Sequence, residues 1–123
     1  MKQEDKDLLL KDLCARLPYA VKGNFQNSDD KLLRSITITY GNLKPNGMVM
    51  TGDIKPYLFP LSSMTEEQEM EYDATFDTIV YEDGRKDSVM TYKSFDWLNK
   101  NNFDYRGLIP MGLAIDATNL NIY

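Results

Sequence analysis

The amino-acid sequence predicts a small α+β domain, and three observations indicate that class. Apolar residues recur every three or four positions from Leu9 to Leu17, which is typical of a helix with one buried face. Alternating β-branched residues from Ile36 to Tyr40 are typical of a half-buried strand. After Tyr40 the chain shows turn and short-helix patterns, and no internal repeat or linker divides it into two domains. We expect one domain over residues 1–123, with an N-terminal helix, a small, mostly antiparallel sheet or SH3-like partly open barrel, and short C-terminal helices.

The first helix is predicted over Gln3–Leu17, and it ends before Pro18 because proline pushes the preceding residue out of the α region. Acidic residues lie in its first turns, where the helix dipole favours negative charge. We expect Cys14 to be a buried, inert thiol on the core side. The stripe that faces the core is predicted to consist of Leu9, Leu10, Leu13, Cys14 and Leu17.

Three strands are predicted in the first half of the chain, and turns separate them. The second is the strongest, because Thr37 and Thr39 alternate with isoleucines. Turns are expected at Asn27–Asp30 and, between the second and third strands, at Asn46–Gly47. The predicted strands are Tyr19–Gln26, Leu32–Tyr40 and Met48–Ile54.

The segment Ile54–Met64 is predicted to be an extended connector. Pro56 and Pro60 each lack a backbone N–H, so we do not expect this segment to be a central strand. Its apolar side chains should anchor it to the core, and they are Tyr57, Leu58, Phe59 and Leu61.

A short helix and a hairpin are predicted after the connector. Ser63 and Glu66 have the spacing of a capping box, so a helix is expected over Thr65–Tyr72. The Asp-Gly pair at residues 83 and 84 is typical of a tight turn. The two strands of this hairpin are predicted at Thr75–Glu82 and Ser88–Tyr92.

Two further caps are predicted near the C-terminus. Ser94 is expected to cap a helix over Phe95–Asn101, and Asp104 to cap a single turn over Tyr105–Ile109. Within that turn, Arg106 is expected to form a local ion pair or to contact a carbonyl, and an anion site is the alternative. The remaining tail is predicted to be irregular and to pack through Leu113, Ile115, Leu120 and Ile122.

The stretch Tyr92–Ala117 holds the densest aromatic and aliphatic surface of the chain and its single tryptophan. A small satellite core against the sheet explains this density, and a binding groove is the second interpretation. The rings concerned are Phe95, Trp97, Phe103 and Tyr105.

Composition excludes several kinds of site. The chain has no histidine, which removes Ser-His and Cys-His pairs and imidazole metal sites. Its single cysteine makes neither an intrachain disulfide nor a thiolate zinc site. Glycine-rich loops that cradle phosphates are missing from the sequence as well. We therefore predict no cofactor and no catalytic residue, and an enzyme is the less favoured interpretation.

The net charge of −5 argues against non-specific binding of nucleic acid. The excess negative charge lies in Met64–Met90, where nine acidic and two basic residues give −7. No apolar run reaches the roughly 20 residues needed to cross a bilayer, and the first residues lack a signal-peptide pattern. We therefore expect a cytoplasmic protein without membrane contact.

Two function hypotheses follow from these patterns. The favoured one is a non-enzymatic interaction module that binds a protein partner or a second copy of itself. The alternative is a small-ligand or divalent-metal binder, or an enzyme, that uses carboxylates of residues 66–77. It requires that at least two of Glu66, Glu69, Asp73 and Asp77 face one pocket. Candidate partner-binding residues are Tyr57, Tyr92, Glu66, Glu69 and Asp73.

Three runs resemble a group of small uncharacterised proteins of gut Bacteroides-type bacteria. They are IKPYLFPLSSMTEE from Ile54, NFDYRGLI from Asn102 and DLLLKDLCARLPY from Asp7. The group usually has His where this chain has Asn102, and a charged pair where it has Pro110–Met111. The resemblance implies a bacterial, cytoplasmic protein with an SH3-like core, often in a prophage-like or mobile-element neighbourhood. It implies no activity, so no functional residue is transferred.

Overall fold

The computed structural model describes residues 1–26 and 35–123. These residues form an α+β domain with an N-terminal helix, which confirms the predicted class, and no closed barrel is present among them. The helices are α1 (Gln3–Arg16), α2 (Glu66–Asp73) and α3 (Tyr92–Lys100). The strands are β1 (Lys22–Phe25), β2 (Ile36–Thr37), β3 (Ile54–Pro60), β4 (Asp77–Val80), β5 (Lys86–Val89), β6 (Phe103–Asp104) and β7 (Ile115–Asp116).

The buried face of helix α1 is shifted from the predicted stripe, although Leu9, Leu13 and Leu17 do pack in the core. Two of the predicted leucines are buried, but Leu10 is half-exposed and Cys14 is exposed. The buried face instead includes Asp12 and Arg16, whose side chains pair with each other. Residues at i and i+4 are neighbours on a helix, so this pair turns inward as one unit. The expectation of a buried Cys14 is therefore wrong.

Strand β3 is the centre of the main sheet. It pairs antiparallel with β1 and parallel with both β6 and β7, while β2 pairs antiparallel with β1. Tyr57 and Leu58 of β3 are buried. The prediction that Ile54–Met64 is a connector and not a central strand is wrong.

Pro56 is tolerated in β3 because the ladder needs no N–H at its position. The N–H of Gln26 donates to the carbonyl of Asp53, so these two residues form a hydrogen-bonded pair. Hydrogen-bonded and non-hydrogen-bonded pairs alternate along an antiparallel ladder. Counting from that pair, Pro56 opposite Gly23 falls in a non-hydrogen-bonded pair. The proline therefore removes no bond between β3 and β1.

Pro60 is accommodated by the same alternation. The N–H of Phe59 donates to the carbonyl of Asn102 at 2.8 Å, on the side where β6 pairs. Neighbouring residues of a strand direct their N–H groups to opposite edges, so the nitrogen of Pro60 points away from β6. Both prolines thus lie where a central strand can hold them.

The segment before β3 forms turns in place of the predicted third strand. The N–H of Thr51 donates to the carbonyl of Gly47, and that of Gly52 donates to the carbonyl of Val49. These local bonds close tight turns over residues 48–53, so the predicted strand Met48–Ile54 is wrong. Val49 still reaches the core, with 0% of its surface exposed.

The predicted strand Leu32–Tyr40 is much shorter within the described residues. β2 covers Ile36–Thr37, and Tyr40–Leu43 form a 3-10 turn. The predicted turn Asn27–Asp30, like residues 31–34, lies outside the described residues. β1 covers the second half of the first predicted strand, Tyr19–Gln26, because Leu17–Tyr19 form a 3-10 turn.

The caps of α2 and α3 differ from the predicted ones. The Thr65 hydroxyl accepts from the N–H of Gln68, whose side chain accepts in return from the N–H of Thr65, so Ser63 is not the cap. In α3 the same box joins Thr91 to Ser94, so this helix begins three residues earlier than predicted. Both boxes place the capping residue immediately before the helix.

The predicted hairpin is confirmed. β4 and β5 pair antiparallel from Asp77 opposite Val89 to Val80 opposite Lys86, and the turn lies between them. The Asp104 carboxylate, as expected, caps the following turn, since it accepts the N–H groups of Leu108 and Ile109 at 2.9 Å each. In the tail β7 was not predicted, and Leu120 is half-exposed instead of packed.

The hydrophobic core lies between α1, the main sheet and the turns that flank β3. Val21, Leu58 and Leu108 are each 0% exposed and contribute from three separate parts of the chain. The full cluster consists of Leu9, Leu13, Val21, Ile38, Leu43, Val49, Met50, Ile54, Leu58, Leu108, Leu113 and Ala114. Neither α2 nor the β4–β5 hairpin contributes to it.

Candidate functional site

The residues Met64–Met90, which comprise α2 and the β4–β5 hairpin, form what we call the acidic lobe. All nine acidic side chains of this lobe are exposed. The hairpin lies outside the main sheet, and among the described residues neither of its strands pairs with a third strand. The lobe therefore presents negative charge and two open strand edges to solvent.

The predicted carboxylates lie on the surface of the acidic lobe. Glu66, Glu69 and Asp73 are exposed, and their spacing places them along one face of α2. Asp77 is exposed on β4. Within residues 1–26 and 35–123, no group of three or more Asp, Glu, Cys or His side chains could hold a metal ion.

The two tyrosines that were predicted to contact a partner have opposite environments. Tyr92 is 73% exposed at the start of α3. Tyr57 is only 4% exposed, because it lies in the central strand, and its hydroxyl accepts from the Asn24 amide at 2.6 Å. Tyr57 therefore anchors its segment to the core, as predicted, and of the two tyrosines only Tyr92 lies on the surface.

Apolar side chains are exposed on the acidic lobe between its charges. Met70 on α2 is 74% exposed and Val80 on β4 is 62% exposed. Ile79, Tyr81 and Met90 are half-exposed. The charge of this segment was predicted from the sequence, but its exposed apolar residues were not.

Stacked aromatic rings attach the acidic lobe to the sheet. Tyr72 of α2 lies over Trp97 with ring centroids 5.4 Å apart, and Trp97 in turn stacks on Phe103 at 5.4 Å. Burial raises the pKa of the Tyr72 hydroxyl, and the neighbouring Asp73 charge raises it further. Trp97 and Phe103 thus form the predicted satellite core, whereas Phe95 is half-exposed.

A cluster of hydroxyl groups closes the base of the hairpin. The carbonyl of Thr75 accepts from the hydroxyls of Thr91 and Ser94, at 2.9 and 3.3 Å. The Ser94 hydroxyl also accepts from the Thr75 hydroxyl at 2.8 Å. The chain therefore enters and leaves the hairpin at one point on α3.

A buried ionic network joins α1 to the residues after α3, and it was not predicted. Asp12 and Arg16 are both 0% exposed, and Arg16 also donates to the carbonyl of Phe103 at 2.7 Å. Arg106 donates to the same carboxylate of Asp12 at 3.2 Å. Arg106 thus makes an ion pair, but its partner comes from the other end of the chain, whereas a local pair was predicted. The i, i+4 spacing of Asp12 and Arg16 was the available signal.

A cleft of about 420 Å³ opens where α3 ends, and it was not predicted either. Lys22 of β1 and Lys100 of α3 line it together with Asn102. In the described part of the chain, only Arg16 Nη1 and Asn102 Oδ1 are buried side-chain polar atoms without a hydrogen-bond partner. Sequence alone does not bring these residues together, because they come from separate elements.

The comparisons with known proteins return no match: no family model matches this chain, and no curated protein or solved structure is significantly similar to it. None of the helices in residues 1–26 and 35–123 has the length and apolar character that crossing a membrane requires.

Proposed function

We propose that this protein is a non-enzymatic interaction module that binds a basic, extended segment of another protein on its acidic lobe. An accessory role in a mobile element, which the resemblance of the sequence implies, belongs to the same proposal. The observation that carries it is the β4–β5 hairpin, which stands apart from the main sheet with exposed apolar residues.

The hairpin offers a template for strand addition. An isolated two-stranded hairpin leaves two rows of backbone groups unpaired, and an extended peptide can pair with either row. Val80 and Ile79 are exposed on opposite faces of β4, so an added strand would find apolar contacts on both sides. Affinity would come from the backbone, and the side chains would select the partner.

The charge of the acidic lobe selects the chemistry of this partner. A net charge of −7 over Met64–Met90, with every carboxylate exposed, attracts lysine- and arginine-rich segments. The same charge disfavours docking of one lobe on the lobe of a second copy, because like charges repel. A basic segment of a different protein is therefore the preferred occupant.

The alternative, a metal or small-ligand site built from these carboxylates, has no observation in its favour. Glu66, Glu69 and Asp73 face solvent along α2, and Asp77 lies on β4. Such a site needs oxygen ligands that converge on one ion. We therefore base the functional experiment on the partner.

The test measures binding of a peptide of alternating lysine and valine by fluorescence anisotropy at low salt. In the lobe variant, Glu66→Gln, Glu69→Gln and Asp73→Asn remove three charges. Each exposed pair contributes about 0.5 kcal/mol, so we expect binding to weaken about tenfold. The matched control removes three charges from α1, through Glu4→Gln, Asp5→Asn and Asp7→Asn.

Equal weakening in the lobe variant and the α1 control would contradict the proposal, because net charge and not the lobe would then govern binding. So would equally tight binding of a peptide of alternating glutamate and valine. The same three proteins, tagged and exposed to lysate of the host, identify the natural partner as the protein that only the lobe variant fails to retain.

A further inference from the structure

The hydrogen bonds of the β4–β5 hairpin decide which backbone groups face its two open edges. The N–H of Tyr81 donates to the carbonyl of Arg85 at 2.8 Å, so these two residues form a hydrogen-bonded pair beside the turn. Hydrogen-bonded and non-hydrogen-bonded pairs alternate along an antiparallel ladder. Counting back from that pair, Thr78 opposite Ser88 falls in a non-hydrogen-bonded pair. The backbone groups of Thr78 therefore point to the open edge of β4, and those of Ser88 point to the open edge of β5.

The open edge of β4 presents two residues of this kind, Thr78 and Val80. Within residues 1–26 and 35–123, no third strand pairs with β4, and no backbone hydrogen bond to another element uses either residue. Each offers one N–H donor and one C=O acceptor at this edge. Unpaired groups of this kind are the template on which an extended peptide adds as a further strand.

The two faces of β4 differ in chemistry. Side chains alternate along a strand, so Asp77 and Ile79 share one face, and Asp87 lies opposite Ile79 on that same face. The other face carries Thr78 and Val80, and Val80 is 62% exposed. A strand added to β4 therefore meets carboxylates on one face and an uncharged, apolar surface on the other.

The open edge of β5 fits a basic partner less well. Lys86 lies opposite Val80, so β5 carries an ammonium group on the face where β4 is apolar. A lysine on an edge strand discourages strand addition, and it repels a partner of the same charge. Strand β4, in contrast, contains no lysine, arginine or proline. Charge complementarity therefore selects the edge of β4.

We propose that the basic segment of the partner adds to the open edge of β4 as an antiparallel strand, with its basic residues on the Asp77 face and its apolar residues on the Val80 face. This inference rests on the proposed function and specifies where and how the partner binds. Antiparallel pairing is the more stable arrangement per residue. The partner residues opposite Thr78 and Val80 are apolar and exchange backbone hydrogen bonds with them. Those opposite Asp77 and Ile79 are lysine or arginine, and their N–H groups point to solvent.

Two proline variants of the intact protein test which edge is used. Thr78 and Ser88 are both exposed, carry a hydroxyl and share one rung of the hairpin, so Thr78→Pro and Ser88→Pro are matched. Each removes an outward N–H and leaves the bonds between β4 and β5 in place, as prolines on edge strands do. In the anisotropy assay with the peptide of alternating lysine and valine, Thr78→Pro should weaken binding about tenfold. Ser88→Pro should bind as the unmodified protein does.

Methylated peptides test the register without any change to the protein. The proposed register places valines opposite Thr78 and Val80, where their N–H groups donate to β4. Methylation of the backbone nitrogens of the valines should therefore weaken binding by about tenfold or more. Methylation of the backbone nitrogens of the lysines, which point to solvent, should leave binding unchanged.

The inference is overturned if Thr78→Pro binds the peptide at least as tightly as Ser88→Pro does. It is also overturned if methylated lysines weaken binding as much as methylated valines. Should Thr78→Pro disrupt the hairpin, the two methylated peptides on the unmodified protein decide. If these tests fail while the lobe variant still binds more weakly than the α1 control, the partner docks on the acidic lobe without pairing with β4, so only the present inference is lost.

Discussion

The buried pair of Asp12 and Arg16 permits a sharp test of how burial changes the contribution of an ion pair. Arg16 Nε lies 2.8 Å from Asp12 Oδ2, with both side chains 0% exposed. Arg85 Nε lies 2.7 Å from Asp83 Oδ2, with the two side chains 72% and 57% exposed. The two pairs have nearly the same length, and they differ in burial and in the second partner of Asp12, since Arg106 donates to its other carboxylate oxygen at 3.2 Å.

Asp12→Ala should lower the free energy of unfolding by about 3–5 kcal/mol, because it leaves the Arg16 charge buried and uncompensated. Asp83→Ala should lower it by about 0.2–1 kcal/mol, since water solvates Arg85 when its partner is removed. Alanine is a better helix former than aspartate, so a helix-propensity effect would act in the opposite direction at Asp12.

Urea unfolding followed by the emission of Trp97, the single tryptophan, measures both variants. With a denaturant slope of about 1–3 kcal/mol/M, Asp12→Ala should lower the midpoint by about 1 M or more. The double variant Asp12→Leu/Arg16→Met removes both charges and should recover part of the loss. Equal small losses for Asp12→Ala and Asp83→Ala would refute the reasoning.

Three further predictions follow from single contacts. Gly23→Ala should lower the free energy of unfolding, measured in urea, by about 1–3 kcal/mol, because its Cβ would lie 2.8 Å from Ile54 Cγ2 and 3.0 Å from the Lys55 carbonyl. Gly41→Ala is the control and should be near neutral, since its Cβ would lie 3.7 Å from Thr39 Oγ1. Ser94→Ala should cost about 1–2 kcal/mol and speed amide hydrogen exchange at the base of the hairpin, and unchanged exchange there would contradict its role. Burial raises the pKa of Tyr123 from 10.0 to about 12, despite the Lys22 N–H that donates to its oxygen. Because the unfolded chain loses this proton at lower pH, the free energy of unfolding should fall as the pH rises from 10.0 to about 12. Tyr123→Phe should lack this part of the fall, and it should also lack the absorbance change of the tyrosine that ionises near pH 12.

The helices and the hairpin were predictable because their signals are local. The start of α1, the extent of α2 and the Asp-Gly turn depend on residues only a few positions apart, and all three are confirmed. The cap of α2 was misplaced by two residues, because Ser63 and Thr65 both begin a plausible capping pattern and only packing separates them.

The central strand was not predictable by the same means. The rule against proline in a sheet holds for residues that must donate to the ladder, and Pro56 falls at a position that does not donate. Which positions donate depends on the register with β1, and register is a property of two segments. The cleft around Asn102 and the contact of Arg106 with Asp12 were missed for the same reason, because their parts come from distant segments of the chain.

The closed base of the hairpin has a consequence for how this chain can vary. Because Thr75 and Thr91 contact each other directly, the hairpin leaves the domain and returns to it at one point, so a change in the length of its turn leaves both ends in place. Lengthening a loop of this kind costs little additional closure entropy. The segment between these two threonines is therefore the position at which we expect one binding hairpin to be exchanged for another. A foreign peptide inserted there should be presented on the surface of the folded domain.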